Sequence, residues 1–322
     1  MQQADQGEAF WPSRLIEEAG PLVLVGAAYV VLALAGLQLA SPHPSVTAIW
    51  PPTGLAIAAV LLFGQRAIPA IFVAAFVVNQ LTLPSLLTSA IIASGNTLEA
   101  ALAGFLISYW AGGLRVFATP TNVFKFFAIC VVATALGSTI GVSGLALTGH
   151  AAADELIPIW LTWWMGDLAG AIVVAPCLVL WALSKPSGPV ELSKSVFTYA
   201  AAAAIGLVCL GSLLPETSIQ DAVSYFIIVP LLWAALKRGP RDTATIALII
   251  SVIASLDAAY RFGLSDVVSD AEVNTHIAPL LAFIISITIP SLALSAEIET
   301  GRATAQLHER HSLEARVLWK AS

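Results

Sequence analysis

Ten apolar stretches follow one another along the chain, at about 21–40, 46–63, 67–82, 86–110, 121–147, 157–183, 196–214, 222–236, 243–260 and 276–297. Proline, glycine or charge bounds each of them. A bilayer core of ~30 Å takes about 20 helical residues, and lipid tolerates only structures whose backbone bonds are satisfied internally. The expected fold class is therefore all-α, a polytopic integral membrane helical bundle of about ten transmembrane helices. The second, third and eighth runs are short and interrupted by Pro or Asn. Eight spans with a re-entrant pair is the alternative.

Composition agrees, because the 322 residues are 58% hydrophobic and only 11% charged, against roughly 25% charged in soluble domains. The net charge of −6 is carried mostly by tails and loops and indicates no nucleic-acid partner. Cys130, Cys177 and Cys209 lie singly in apolar runs, without the spacing of a metal site or disulfide framework. No metal or cofactor is expected.

Lys and Arg collect on the cytoplasmic side of a membrane protein. With both termini inside, 13 of the 14 basic residues fall on the cytoplasmic side and only Arg261 falls outside. Residues 1–20, with Asp5, Glu8, Glu17 and Glu18 against Arg14, carry the wrong charge for a secretory leader and read as a cytoplasmic segment. Residues 21–298 form the membrane domain, and residues 299–322 read as a cytoplasmic signalling helix. Gly301 is the only breaker in that tail, so the last helix should run on past Glu297 and Gly301 to Leu307 and beyond. Leu307, Leu313, Val317 and Leu318 could pair two copies, giving an expected homodimer through the C-terminal helix.

A polar group inside a bilayer needs a partner, so each is a functional candidate. At 1.5 Å per residue, Asn96 and Asp167 lie roughly 15 Å into their spans, and Glu99 one turn deeper. Trp50, Asn79 and Asp257 are expected nearer the outer rim. Asn96 and Glu99 are three apart, and Trp163 and Asp167 four apart, spacings that share a helix face. Either these groups line an outward-facing cavity or they tie helices together; Gly95 and Gly166 beside Asn96 and Asp167 would favour close helix contact in both cases. Asp257 and Arg261 have the spacing of a structural ion pair. Trp50-Pro51-Pro52-Thr53-Gly54 reads either as a broken helix lining a cavity or as a helix starting at proline. Neither P-loop, HExxH nor GxSxG is present, so the chain itself is not expected to be an enzyme.

Trp50-Pro51-Pro52-Thr53-Gly54-Leu55-Ala56, Gly64-Gln65-Arg66 with Pro69, the Phe-rich run to Asn79, Gly95-Asn96-Thr97-Leu98-Glu99-Ala100 and Trp163-Trp164-Met165-Gly166-Asp167 with Pro176 together resemble the first membrane-associated sensor family. The resemblance covers roughly residues 20–298. It implies a multi-pass input module of the bacterial cytoplasmic (inner) membrane, placed before histidine kinase or cyclic-di-GMP output domains. The residues it singles out are Trp50, Pro51, Pro52, Asn79, Asn96, Glu99, Trp163, Trp164, Gly166 and Asp167, read here as ligand-binding. Leu318-Trp319-Lys320-Ala321-Ser322 is similar to the short helix leading into a diguanylate cyclase, so that output is expected in preference to a kinase. The expected function is detection of a small ligand or a membrane partner protein, relayed through Glu297, Gly301 and Leu307. A proton-coupled transporter and a module reading a neighbouring receptor are the alternatives.

Overall fold

A computed structural model describes residues 11–38, 49–185, 188–210, 225–263 and 270–321. Its helices are α1 (Trp11–Gln38), α2 (Pro51–Phe63), α3 (Ile68–Thr82), α4 (Leu86–Trp110), α5 (Pro120–Leu147), α6 (Leu156–Leu183), α7 (Pro189–Leu210), α8 (Ile228–Lys237), α9 (Pro240–Gly263) and α10 (Asp270–Ala321). A helix coincides with each of the ten apolar runs, and no β-strand occurs among the described residues. Seven helical stretches are long and apolar enough to cross a bilayer.

One of those seven, Pro51–Thr82, is not straight. A continuous helix would hold Trp50 and Asn79 about 40 Å apart, yet both line one cavity. The turn at Gly64–Ala67 folds α3 back beside α2's origin, and Gly64 supplies it with a φ of 67°. Contacts along α1 agree: Gly26 faces Ala70 on α3, while Gly36 faces the Trp50 ring. Gly239, with φ 90°, makes the corresponding turn between α8 and α9.

The outer surface carries large apolar side chains, among them Val73, Leu98, Phe105, Val132 and Phe197. That surface suits lipid, which provides no hydrophobic drive for helices to associate; close packing must do so instead. Small residues make it close. Gly54 on α2 and Gly170 on α6 meet so tightly that a Cβ on Gly170 would overlap the Trp50 carbonyl. Gly95 on α4 approaches the Gly137 carbonyl on α5.

Three apolar clusters result. The largest joins α2, α4, α5, α6, α9 and α10 through residues such as Ile57, Phe126, Ile172 and Ile284. A second joins α1 to α4 around Tyr29 and Ile71, and a third joins α7 to α10 around Leu231 and Ile250. Helix α10 is unbroken through the charged tail despite Pro279 and Pro290, as the scarcity of breakers predicts. Where it leaves the bundle, Thr300 Oγ1 donates to the Ala118 carbonyl at 2.9 Å and Arg302 Nη2 to the Leu236 carbonyl at 2.6 Å.

Candidate functional site

At the end of the bundle opposite this exit, the loops after α3 and α5 surround a cavity of about 460 Å³. Trp50, Asn79, Asn96, Trp163, Gly166 and Asp167 all line it, so six of the ten residues proposed for ligand binding come together. They arrive from five places: the start of α2, the end of α3, the middle of α4 and two turns of α6. Leu37, Val78, Ile92, Leu145 and Ile159 add an apolar wall, and Thr82, His150 and Thr162 add polar groups to it.

The start of α2 explains the depth. Pro51 and Pro52 occupy its first turn, where the missing N–H groups would have no helical partner anyway. The Trp50 N–H, still in need of an acceptor, donates to the Gly166 carbonyl at 2.9 Å. The Pro-Pro pair therefore begins a helix and does not break one, but it begins it inside the bundle. Trp50 is correspondingly level with Gly166, ten residues or ~15 Å along α6. The expectation of a rim position for Trp50 is corrected: a helix whose first turn needs few donors can start deep.

Thr53, one turn into α2, donates its hydroxyl to Asp167 Oδ1 at 2.7 Å. Asp167 is 7% exposed and Glu99 1%. Glu99 does not line the cavity; its carboxyl group packs against Gly137, and neither of its buried oxygens has a hydrogen-bond partner. The single Thr53 proton is already committed to Asp167. Asn96 turns the other way, donating Nδ2 to Tyr29 Oη at 3.1 Å, so two residues one turn apart on α4 serve different neighbours. Asn79 Nδ2 donates back to the Ala75 carbonyl of its own helix at 2.8 Å.

Pro51, Pro52 and Trp164 do not line the cavity. Trp164 turns toward α5, donating Nε1 to the Val131 carbonyl at 3.2 Å and stacking on Trp160. Asp257 on α9 is also outside it. The side chains of Tyr260, Arg261 and His276 lie outside the described residues, as does His43. Glu297, Gly301 and Leu307 are exposed along α10.

Sequence reasoning missed three contributors. Thr53 was visible only as the fourth residue of the Trp50 motif, and Tyr29 as the lone tyrosine of the first apolar run. His150 reaches the cavity wall, its Nδ1 2.9 Å from Thr148 Oγ1; nothing in its spacing signalled that. A second polar cluster was read only as positive charge. At the α10 exit end, buried Asp242 accepts from Arg238 Nε at 2.8 Å, Arg241 Nε at 2.9 Å, Tyr199 Oη at 2.8 Å and Ser195 Oγ at 3.2 Å. This hub joins α7 to the turn between α8 and α9.

Among the described residues no group of three or more His, Cys, Asp or Glu side chains is placed to hold a metal ion, and the three cysteines are buried and free. The MASE1 family model matches residues 21–301, nearly the whole chain. No curated protein and no solved structure matches it. The chain belongs to the MASE1 family, the membrane-associated sensory input domains of bacterial signalling proteins.

Proposed function

We propose that this multi-pass membrane domain senses a small ligand in the cavity between α1, α2, α3, α4, α5 and α6, opening to the outer side of the bacterial inner membrane. Helix α6 carries the observation that supports this reading most directly. It presents Trp163, Gly166 and Asp167 to the cavity and packs its far side on α10. A ligand that favours one α2–α6 arrangement over another biases the α6–α10 contact, and α10 continues beyond the bundle as one helix to Ala321. The ligand must differ in affinity for the two arrangements, since equal affinity moves no equilibrium. A diguanylate cyclase is the preferred output, on the likeness of Leu318-Trp319-Lys320-Ala321-Ser322 to a cyclase lead-in. Two copies paired through α10 would bring two such domains together.

The test joins residues 1–322 to a diguanylate cyclase catalytic domain and measures cyclic-di-GMP in cells. Asn96→Ala and Asp167→Asn should change output several-fold while membrane insertion is retained. Unchanged output from both variants overturns the reading. Substrate-dependent flux into vesicles would replace it with a transporter.

A further inference from the structure

Asp167 and Glu99 are both buried, and among the described residues neither has a positive partner. No Lys or Arg is among the described residues that line the cavity. Among the described residues Asp167 accepts a hydrogen bond from Thr53 alone, and Glu99 receives none. Elsewhere the same chain handles a buried carboxylate differently: Asp242 has two arginines, a serine and a tyrosine around it. Buried charge is normally paired, because desolvation costs several kcal/mol per ion unless a counter-charge repays it. At Asp167 the space where a counter-charge would sit is the cavity itself.

We infer that the cavity takes an organic cation, a small amine or quaternary ammonium compound with an apolar body, whose positive group is held between Asp167 and the indole rings of Trp50 and Trp163. This rests on the sensory reading above and names its ligand class. Trp is the strongest aromatic partner for a cation, and the attraction grows as water is excluded. The volume falls within the ~300–1,000 Å³ of ordinary small-molecule sites. Leu37, Val78, Ile92, Leu145 and Ile159 form the wall for the apolar body, and Asn79, Asn96, Thr82, His150 and Thr162 supply the polar contacts.

The other ligand classes fit less well. An anion would be placed against the Asp167 carboxyl group with no Lys or Arg among the described lining residues to offset it. A sugar would present more hydroxyls than this largely apolar wall could serve. A neutral aromatic would cover Asp167 without supplying a donor. A divalent metal commonly takes six or more oxygen ligands in the case of calcium, and no third carboxylate or histidine joins the pair among the described residues.

The experiment uses the purified chain in lipid nanodiscs and three probes of one shape: phenethylamine as cation, 2-phenylethanol as neutral isostere and phenylacetate as anion. Trimethylated phenethylammonium is a fourth. Binding is read by calorimetry and by thermal unfolding. Both cations should raise the melting temperature, by about 5 °C at a hundredfold excess over Kd, while the neutral and anionic probes leave it unmoved. Asp167→Asn should abolish the shift, and Trp163→Leu should weaken cation binding more than Trp163→Phe. The Trp163 pair keeps the test valid if Asp167→Asn fails to fold. Stabilisation by 2-phenylethanol or phenylacetate that depends on Trp163, with none from the cations, overturns the cation and leaves a ligand-binding cavity standing. Equal shifts in Asp167→Asn overturn it by showing membrane partitioning alone. No shift from any probe also overturns it, and the cyclase fusion then decides the sensory reading separately.

Discussion

The Thr53 hydroxyl donates to Asp167 Oδ1 at 2.7 Å, a bond that joins the first turn of α2 to the middle of α6 across 114 positions of sequence. Side-chain hydrogen bonds in membrane bundles contribute about 0.6 kcal/mol on average and about 1.7 at most. Losing this one leaves a buried carboxyl group without a donor, which places its cost toward the upper end, about 1–2 kcal/mol. Thr53→Val keeps the shape and removes the proton, so it should lower the melting temperature in nanodiscs. Thr53→Ser should restore most of it. Equal stability of Thr53→Val and the unaltered chain would show that Asp167 draws its support from elsewhere.

A second prediction concerns how closely α2 and α6 approach. A Cβ on Gly170 would overlap the Trp50 carbonyl, and one on Gly54 would overlap the Gly170 carbonyl. Backbone cannot swing aside as a side chain can, so Gly170→Ala should destabilise by about 1–3 kcal/mol or more. It should also disturb the Trp50 N–H bond to Gly166. Gly301→Ala meets nothing within 4 Å and lies in a helix. There the substitution should be neutral or stabilising by up to about 1 kcal/mol. Thermal unfolding of the two variants side by side decides it; a tolerated Gly170→Ala would mean the helices separate more freely than the packing implies.

The contrast between these glycines bears on what the sequence made legible. Apolar length predicted each of the ten described α-helices, because in a bilayer length and hydrophobicity are the dominant constraints. The polar residues of the cavity were legible for the same reason: Asn79, Asn96 and Asp167 stand out against an apolar background. Depth was not. Counting inward from the apparent start of a span puts Trp50 at the surface, whereas its position is set by the Gly166 carbonyl on a helix more than 100 residues away. Partnering was equally hidden. Asn96 and Glu99 share a spacing, yet Asn96 meets Tyr29 on α1 and Glu99 meets Gly137 on α5. Asp242 drew no notice in the sequence, because Ser195 and Tyr199 lie on α7, more than 40 positions away, and join Arg238 and Arg241 around it only in the fold.

Glu99 yields a prediction that separates stability from sensing. Both of its oxygens are buried without a partner, so the side chain is held there at a cost. Replacing such a group by an apolar one of similar size is commonly neutral or stabilising, by up to about 4 kcal/mol for buried ionic groups. Glu99→Met, flexible enough to lie against Gly137, should leave the melting temperature unchanged or raise it. The same variant should blunt the response of the cyclase fusion. A large loss of stability would mean Glu99 serves as structural support.

The strongest stability effect is expected far from the cavity, at Asp242. This carboxylate is 1% exposed and sits between Arg238, with 13% of its side chain exposed, and Arg241, with 21%. Removing one member of a buried ionic group leaves the others uncompensated and costs about 3–5 kcal/mol. Asp242→Ala would strand both guanidinium groups and the Tyr199 and Ser195 hydroxyls together. Asp242→Asn should recover part of the loss, because its amide oxygen still accepts while its charge is gone. Glu191, which bonds Lys194 and Arg238 from an exposed position, provides the control, and Glu191→Ala should change little. Because Thr243, next in sequence, lies 3.4 Å from Ser295 on α10, loosening this hub should also free α10 where it leaves the bundle. The measurement is thermal unfolding of the three variants, with hydrogen exchange along residues 290–309. Protection should fall in Asp242→Ala and hold in Glu191→Ala. If α10 keeps its protection while the melting temperature drops, the hub stabilises α7 to α9 without reaching the output helix.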